Sequence, residues 1–246
     1  MLFYFFFIIC LIEVVINTVI QNESDLISSL SEEKEKVTLS INSKIDVTEE
    51  IEINKSIKKL SFIGNSLDHS KLYLSFPLYF KSSLEEIEIT NININGTLVF
   101  NNNKNITFNS VNLNGYIDSN FDKKTTTDIK ISKLIYKPTG DLVRNCINLS
   151  GNVTIVNSYF FGDSSCQNRL IHYNGLDQYS LNLKESIFNG EYLCPFLSIE
   201  NAVKANIETS TFEKGYSSEN IDGGYKKIKF FQIFILLNIL LLIINY

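Results

Sequence analysis

Hydrophobic and polar residues alternate in one recurring pattern between Ile87 and Gly215. In each copy an apolar residue is followed two, five and seven residues later by apolar or small residues, and usually two residues further on by glycine. The copies begin at Ile87, Ile106, Ile129, Val153, Leu181 and Ala205. Alternation with a period of two is typical of short β-strands, and the two skipped positions mark a corner between strands. The copies recur at intervals of about two dozen residues, which is typical of a solenoid.

A third apolar run completes several of the copies. The runs are Leu98–Phe100, Leu170–Tyr173 and Phe196–Ile199. Three strands in about two dozen residues leave no room for the crossover helix of a βαβ unit. The pattern therefore predicts an all-β fold, a single-stranded parallel β-helix of about seven coils over residues 37–216. Because neighbouring parallel strands lie about 4.8 Å apart, we expect equivalent residues of successive coils to stack.

The segment before these copies, residues 22–36, predicts a short capping α-helix. Ser24 and Asp25 are suited to the N-cap, and Leu26, Ile27 and Leu30 share one apolar face. A helix here covers the open strand edge at the N-terminal end of the solenoid.

Strand-like alternation resumes at Val37 and begins a coil before the clear copies. The last four positions of a copy are matched by Ile57, Leu60, Phe62 and Gly64. The stretch from Asn65 to Phe80 is longer than a coil loop should be. There we expect either an irregular excursion or an extra strand at Leu72–Phe76.

This succession of a helix, an opening coil and stacked copies resembles the pectin lyase-like right-handed parallel β-helix superfamily. The opening coil carries the resemblance in Val37–Leu39, Ile51–Ile53 and Leu60–Gly64. The resemblance implies a right-handed solenoid, and the superfamily includes pectate lyases, polygalacturonases and non-catalytic surface adhesins. The chain lacks the Asn-Thr-Asp, Asp-Asp, Gly-His-Gly and Arg-Ile-Lys motifs of the hydrolase-type members. We therefore expect a non-catalytic protein.

Both ends of the chain are strongly apolar. Residues 1–21 are typical of a secretory signal peptide with a cleavage site near residues 17–22, and an uncleaved signal anchor is the alternative. Residues 230–246 form an apolar tail after a polar spacer, residues 217–229. The lysines of the spacer precede the tail, whereas a single span would be followed by positive charge. This order favours a glycosylphosphatidylinositol signal over a single transmembrane span, and either places the domain on a membrane surface.

Six N-glycosylation sequons support passage through the secretory pathway. They are Asn22, Asn54, Asn95, Asn105, Asn148 and Asn152. Because Asn54, Asn105 and Asn152 each precede the same copy position by six residues, we expect their glycans to line one edge of the solenoid. The formal net charge is −5, and Arg144 and Arg169 are the only arginines, which argues against a nucleic-acid partner.

Chemistry-bearing side chains are few. Asp163 and Glu191 each follow the glycine of a copy, and stacked carboxylates are suited to Ca²⁺; a solvated pair of turn acids is the alternative. With Arg169 and His172 they define a minimal site for a polysaccharide lyase or glycoside hydrolase, the rival function.

Ser158, Ser186 and Ser210 share one copy position, where we expect a hydroxyl ladder rather than a nucleophile, because a serine nucleophile needs a base within reach. Phe160, Phe188 and Phe212 predict an internal aromatic stack. We expect no cofactor.

The cysteines allow more than one pairing. If the signal peptide is removed with Cys10, three remain. Cys166 and Cys194 occupy equivalent places in adjacent coils, which predicts a disulfide between them. Buried free thiols are one alternative, and Cys146 as the partner of Cys166 is another.

One row of positions predicted to face solvent is apolar. It contains Ile135, Tyr159 and Ile187, with Phe161 beside Tyr159, and it predicts an exposed stripe for a carbohydrate or protein ligand. The alternative is a stripe buried under a loop such as the segment from Lys123 to Asp128. We expect a secreted, glycosylated, membrane-anchored surface protein that acts in recognition or adhesion, or as a structural component.

Overall fold

The computed structural model describes residues 17–139, 143–215, 228–230 and 233–236 of the chain. One helix and 21 strands follow one another in these residues. In chain order they are β1 (Asn17–Ile20), α1 (Glu23–Ser31), β2 (Lys36–Ile41), β3 (Lys44–Val47), β4 (Lys59–Gly64), β5 (Lys71–Leu74), β6 (Leu78–Phe80), β7 (Glu86–Thr90), β8 (Asn93–Asn101), β9 (Asn105–Asn120), β10 (Asp128–Lys137), β11 (Val143–Ser150), β12 (Asn152–Val156), β13 (Tyr159–Phe161), β14 (Cys166–Asn174), β15 (Ser180–Lys184), β16 (Ile187–Asn189), β17 (Leu197–Glu200), β18 (Lys204–Glu208), β19 (Ser210–Glu213), β20 (Ile228–Phe230) and β21 (Ile233–Leu236).

The strands stack into a β-solenoid of about eight turns. Successive turns pair in parallel and in the predicted register, with Ile87 opposite Ile106 and Ile106 opposite Ile129. The predicted all-β parallel β-helix is therefore confirmed. It has about one turn more than the seven predicted, because the residues before Ile87 form two coils, which begin at β2 and β4, rather than one.

Each turn contributes to three faces. The first face consists of β1, β2, β4, β7, β12, β15 and β18 with the first parts of β9 and β10. The second face consists of β3, β5, β13, β16 and β19 with the start of β8, the middle of β9 and the end of β10. The third consists of β6, β11, β14 and β17 with the ends of β8 and β9. All of these pairings are parallel.

Inward-facing side chains form one continuous core. The rings of Phe160 and Phe188 stack with centroids 4.8 Å apart, and those of Phe188 and Phe212 with centroids 4.6 Å apart. This confirms the predicted aromatic stack. Since parallel strands of neighbouring turns lie about 4.8 Å apart, identical residues at one copy position come naturally into contact.

A single left-handed residue makes the corner between the first and second faces. It precedes the third apolar position of each copy and has φ between 51° and 55° in all six. These residues are Asn91, Ser110, Lys133, Asn157, Glu185 and Thr209. The corner explains the two skipped positions of the pattern, because the chain reverses its inward and outward alternation there.

Glycine is required where two turns approach closely after the second face. Gly96 and Gly115 pair directly, and a Cβ on Gly115, which has φ +148°, would lie 2.0 Å from the carbonyl oxygen of Gly96. No L side chain fits this approach.

The N-terminal end is capped as predicted, with two adjustments. Helix α1 buries Leu26 and Leu30 against the first coil. Its N-cap is Asn22, whose Oδ1 accepts the Asp25 N–H at 2.9 Å, rather than Ser24 or Asp25. Residues 17–20 of the predicted signal peptide belong to the solenoid, since β1 pairs with β2 and Ile20 is buried. Residues 1–16 lie outside the described part.

The register predicted for the second coil is wrong. Leu60 and Phe62 pair with Ile87 and Ile89, so they occupy the first two positions of a copy rather than the third and fourth. The first two positions of a copy are apolar residues two apart, and so are the third and fourth positions. The hydrophobic pattern alone therefore assigned Leu60 and Phe62 to the second strand of their coil instead of the first. The extra strand expected at Leu72–Phe76 is present as β5, followed by β6.

Strands β20 and β21 pair antiparallel with β19 and β18, the last coil. Apart from these two strands, the predicted spacer, residues 217–229, and the apolar tail, residues 230–246, lie outside the described residues.

Candidate functional site

The stripe predicted from outward positions lies on the second face. Ile135 pairs with Tyr159, and Tyr159 pairs with Ile187, so the three side chains stand above one another on successive turns. Ile135 is 41% exposed, Tyr159 is 46% exposed, and Ile187 is half-buried. We call these three residues with Phe161 the apolar stripe.

A second outward row runs beside the first, two residues further along each strand. Phe161 belongs to this row and is half-buried. The Nζ of Lys137, one turn away, lies 5.1 Å from the centroid of the Phe161 ring. The ammonium group covers part of this ring, as a cation–π contact does. Tyr159 is therefore the more open of the two rings.

The segment from Lys123 to Asp128, the loop considered as a cover for the stripe, makes its contacts away from the stripe. The Lys123 Nζ lies 2.9 Å from a carboxylate oxygen of Asp177, and the Tyr179 hydroxyl donates to the Thr125 carbonyl at 2.6 Å. Both partners lie in the corner between the third and first faces, away from the second face. The alternative of a stripe buried by the segment from Lys123 to Asp128 is thus wrong.

Four asparagines extend the second face beyond the stripe, on the two preceding turns. Asn93 pairs with Asn112 and Asn95 pairs with Asn114, and all four are half-buried. Asn112 in turn pairs with Ile135, and Asn114 pairs with Lys137. Within the described residues the Oδ1 of Asn112 is buried and has no hydrogen-bond partner. We call these four residues the asparagine quartet.

Sequence reasoning passed over the quartet. It considered only the apolar residues of the first row and did not compare the second row. The signal was available, since the same two outward positions hold asparagine in two successive copies.

The three serines at the first corner are structural. Ser186 is almost fully buried, donates its hydroxyl to the Lys184 carbonyl at 2.9 Å and accepts the Ser158 N–H at 3.2 Å. The Ser158 hydroxyl donates to the Val156 carbonyl and accepts the Leu134 N–H. The Ser210 hydroxyl donates to the Glu208 carbonyl and accepts the Ser186 N–H. Each hydroxyl thus satisfies two backbone groups of the turn, as the predicted hydroxyl ladder requires.

The carboxylates of Asp163 and Glu191 lie on adjacent turns but bind different partners. Asp163 accepts the Ser165 N–H at 2.8 Å and forms a short bond with the Ser165 hydroxyl. Glu191 pairs with Lys214, at 3.2 Å. In the part of the chain that the structure describes, no group of three or more His, Cys, Asp or Glu side chains is arranged to hold a metal ion.

Arg169 and His172, the other members of the rival site, lie on the third face. Arg169 donates to the carbonyl of its neighbour Asn168, at 2.7 Å. His172 Nδ1 lies 2.8 Å from the Ser198 hydroxyl and 3.8 Å from a Glu200 oxygen. Each of the four side chains proposed for catalysis is therefore engaged with a partner outside that set.

The predicted disulfide between Cys166 and Cys194 is wrong. Cys166 is bonded to Cys146, with Cα atoms 5.2 Å apart, and Cys194 is a buried free thiol. The pairing of β11 with β14 is irregular between Val143 and Asn145, directly before Cys146. Burial, reinforced by the charge of Asp163, raises the pKa of Cys194 to about 12, so this thiol is neutral and inert near neutral pH.

The sequons occupy different faces. Asn105 and Asn152 are aligned two turns apart through Asp128 on the first face, as expected of a common edge. Asn54 does not join them, because Lys59 occupies that row in its coil. The Asn54 amide instead donates to the Ser31 carbonyl of the capping helix, at 2.9 Å. Asn95 belongs to the asparagine quartet, and Asn148 lies on the third face beside Asp118.

No family model, curated protein or solved structure matches the chain. None of the helices in the described residues has the length and hydropathy needed to cross a membrane.

Proposed function

We propose that this chain is a secreted, N-glycosylated, membrane-anchored β-helix that acts without catalysis in recognition or adhesion at a cell surface. The apolar stripe is the observation that carries the proposal. Two of its side chains are more than two-fifths exposed on a flat, regular sheet face. Contiguous exposed apolar residues on a monomer mark interaction sites more often than chance.

The regularity of the second face supports a binding role. Its strands are paired in parallel on both sides, which fixes the backbone from which the outward side chains project. A preorganised surface loses little conformational entropy on binding. Aromatic and aliphatic side chains on such a surface suit a saccharide ring or a protein partner.

The chain ends support the location. The apolar N-terminal segment and the six sequons favour the secretory pathway, and the order of lysines and apolar residues favours a glycosylphosphatidylinositol anchor. Phosphatidylinositol-specific phospholipase C should release the protein from the surface of its native host cell. Retention of the protein, while a control anchored protein is released, would favour the single span.

Recognition is tested by displaying the full chain on cells that do not express it and measuring adhesion to cells and extracellular matrix of the native host. The variant Tyr159→Ser/Ile187→Ser removes the centre of the stripe. We expect adhesion above background for the unchanged chain and its loss for the variant at equal surface display. Tyr79→Ser, which removes an exposed tyrosine of the third face, is the matched control.

Two results would overturn the proposal. One is adhesion that does not depend on Tyr159 and Ile187. The other is turnover of uronic-acid polymers by the purified full chain, with or without Ca²⁺, that is abolished by Asp163→Ala.

A further inference from the structure

We infer that the last complete coil makes a contact of its own with the membrane, in which exposed apolar side chains rest on the surface of a zwitterionic bilayer. This contact is separate from the anchor and does not use the apolar stripe. The inference rests on the proposed membrane anchoring and assigns the surface of the solenoid that faces the lipid.

The last complete coil begins at β15 and carries three large apolar side chains that are exposed in the described part of the chain. Tyr192 is 50% exposed, Leu193 is 53% exposed and Val203 is 49% exposed. Tyr192 and Leu193 precede β17, and Val203 follows it, so these side chains flank that strand at both of its ends. We call these three residues the C-terminal tip. Exposed apolar groups that lie together on a monomer mark a protein or membrane contact.

The chain leaves the solenoid beside the C-terminal tip. The Tyr192 N–H donates to the Lys214 carbonyl at 2.6 Å, and Gly215 lies against the ring of Phe196, which a Cβ on this glycine would approach to 2.4 Å. The polar spacer begins two residues after Gly215, which is at most about 7 Å of extended chain. An anchor attached near the start of the spacer therefore turns this end of the solenoid toward the bilayer.

The single-span alternative gives the same orientation. Strand β21 belongs to the apolar tail and pairs with β18, which places Leu236 opposite Lys204, the residue directly after Val203. A tail that continues into a bilayer from this point also starts beside the C-terminal tip. Both modes of anchoring therefore present the last complete coil to the lipid.

The sequons leave this end of the solenoid uncovered. The last of the six is Asn152, which lies one turn before β15, whereas the earlier turns have sequons on all three faces, at Asn95, Asn105 and Asn148. N-linked glycans are bulky and remain in water. A coil without a sequon can therefore approach a bilayer more closely than the turns that precede it.

The charge of this end favours one kind of lipid. Residues 180–215 contain five glutamates and three lysines, so an anionic bilayer would repel them, whereas a zwitterionic one would not. The Glu191 carboxylate, beside Tyr192, pairs with Lys214 at 3.2 Å, which lowers the cost of bringing it to the interface. Tyrosine suits such an interface because its ring packs on lipid while its hydroxyl stays hydrated.

The test uses an introduced tryptophan, because the chain contains none. Leu193→Trp places the reporter in the C-terminal tip. Phe76→Trp is the matched control, since Phe76 is 49% exposed but lies five turns away, about 24 Å along the axis. Each full chain is expressed in cells, and its anchored product is purified and reconstituted in phosphatidylcholine vesicles with or without brominated acyl chains, which quench tryptophan emission on contact.

We expect brominated lipid to quench most of the emission of the Leu193→Trp protein and to leave that of the Phe76→Trp protein unchanged. Adding Tyr192→Ser/Val203→Gln to Leu193→Trp should reduce the quenching, because the neighbouring apolar contacts with lipid are lost. Replacing part of the phosphatidylcholine by phosphatidylserine should also reduce it. Thermal unfolding of each variant confirms that the fold is retained.

The possible failures are distinguishable. If the proteins do not incorporate into vesicles, the proposed anchoring falls, and the contact falls with it. If they incorporate but neither reporter is quenched, anchoring stands and the contact is overturned, because the C-terminal tip is then in water or covered by the spacer or by a second copy of the chain. Equal quenching of both reporters would mean that the solenoid lies on its side, which also overturns the contact. Adhesion through the apolar stripe is measured separately and does not depend on this result.

Discussion

At the corner between the first and second faces, one residue in each of the six copies adopts the left-handed conformation although none of the six is glycine. Asparagine tolerates this region, and Asn91 and Asn157 use it. Thr209 is β-branched, which makes the conformation unfavourable for it. The strain is tolerated because the side chain of the next residue, which is a serine or an apolar residue, must point into the core.

The strain at Thr209 yields a prediction. Thr209 is exposed, so its replacement by asparagine removes no packing. Thr209→Asn should raise the free energy of unfolding by about 0.5–1 kcal/mol, since asparagine is better tolerated at positive φ. Urea denaturation of protein made without N-glycosylation measures the change, because the substitution completes a sequon with Ser210 and Thr211. Thr107→Asn, in the middle of a strand, is the control and should be neutral or destabilising; a loss of stability in Thr209→Asn would contradict the account of the corner.

The corner hydroxyls yield a second prediction. Ser186→Ala leaves the Ser158 N–H without its acceptor and the Lys184 carbonyl without its donor. Because both groups are buried at the corner, unfolding should become easier by about 1–3 kcal/mol. Ser180→Ala, at a half-buried strand start, should change stability by less than about 0.5 kcal/mol. Equal effects of the two changes in denaturant titration would show that the ladder is not stabilising.

Among the elements, β11 and β14 differ most from the repeating pattern. Their pairing shifts between Val143 and Asn145, and the disulfide joins them across one turn. The spacing of cysteines from a copy position predicted the wrong pair, because it assumes a constant register on the third face. An irregularity in one strand moves every later residue, and alternating hydrophobicity on its own does not reveal it.

The disulfide is tested by peptide mapping. Alkylation of the denatured, unreduced protein followed by chymotrypsin should give an alkylated Cys194 peptide and a cross-link between Cys146 and Cys166. Trypsin is unsuitable because residues 145–169 contain no site between these cysteines. A cross-link that contains Cys194 would contradict the structure.

The same pairing predicts a stability pattern. Cys146→Ser should lower the free energy of unfolding by about 2–4 kcal/mol, since it opens a covalent loop. Cys166→Ser should have a similar effect, and the double variant should lose little more than either single one, because both remove the same bond. Additive losses would mean that the two cysteines act separately.

For the whole molecule, the sequence was sufficient wherever one spacing repeats. Copies from Ile87 to Phe212 align in the structure as they align in the sequence, because strand pairing between turns keeps equivalent residues opposite one another. The opening coil was misaligned at Leu60, where two positions of the copy share the same spacing. The position of β1 within the predicted signal segment could not be predicted, since its burial depends on β2, which lies beyond the capping helix.

The stripe could be predicted because it follows from the same alternation as the core. The exposure of the stripe could not be predicted, because it depends on where the loop from Lys123 to Asp128 lies. The loop is held by Asp177 and Tyr179, more than fifty residues later in the chain, and no local pattern specifies such contacts.

The most direct test of this account compares outward and inward residues on the same two strands. Tyr159→Ser/Ile187→Ser changes the stripe, and Phe160→Ser/Phe188→Ser changes the stacked rings beneath it. Urea denaturation of the full chain should show a loss of about 1 kcal/mol or less for the outward pair, as exposed substitutions usually give. The inward pair should lose several kcal/mol or fail to fold, because each serine replaces a buried aromatic side chain. A loss for the outward pair as large as that for the inward pair would contradict an exposed stripe and, with it, the proposed recognition surface.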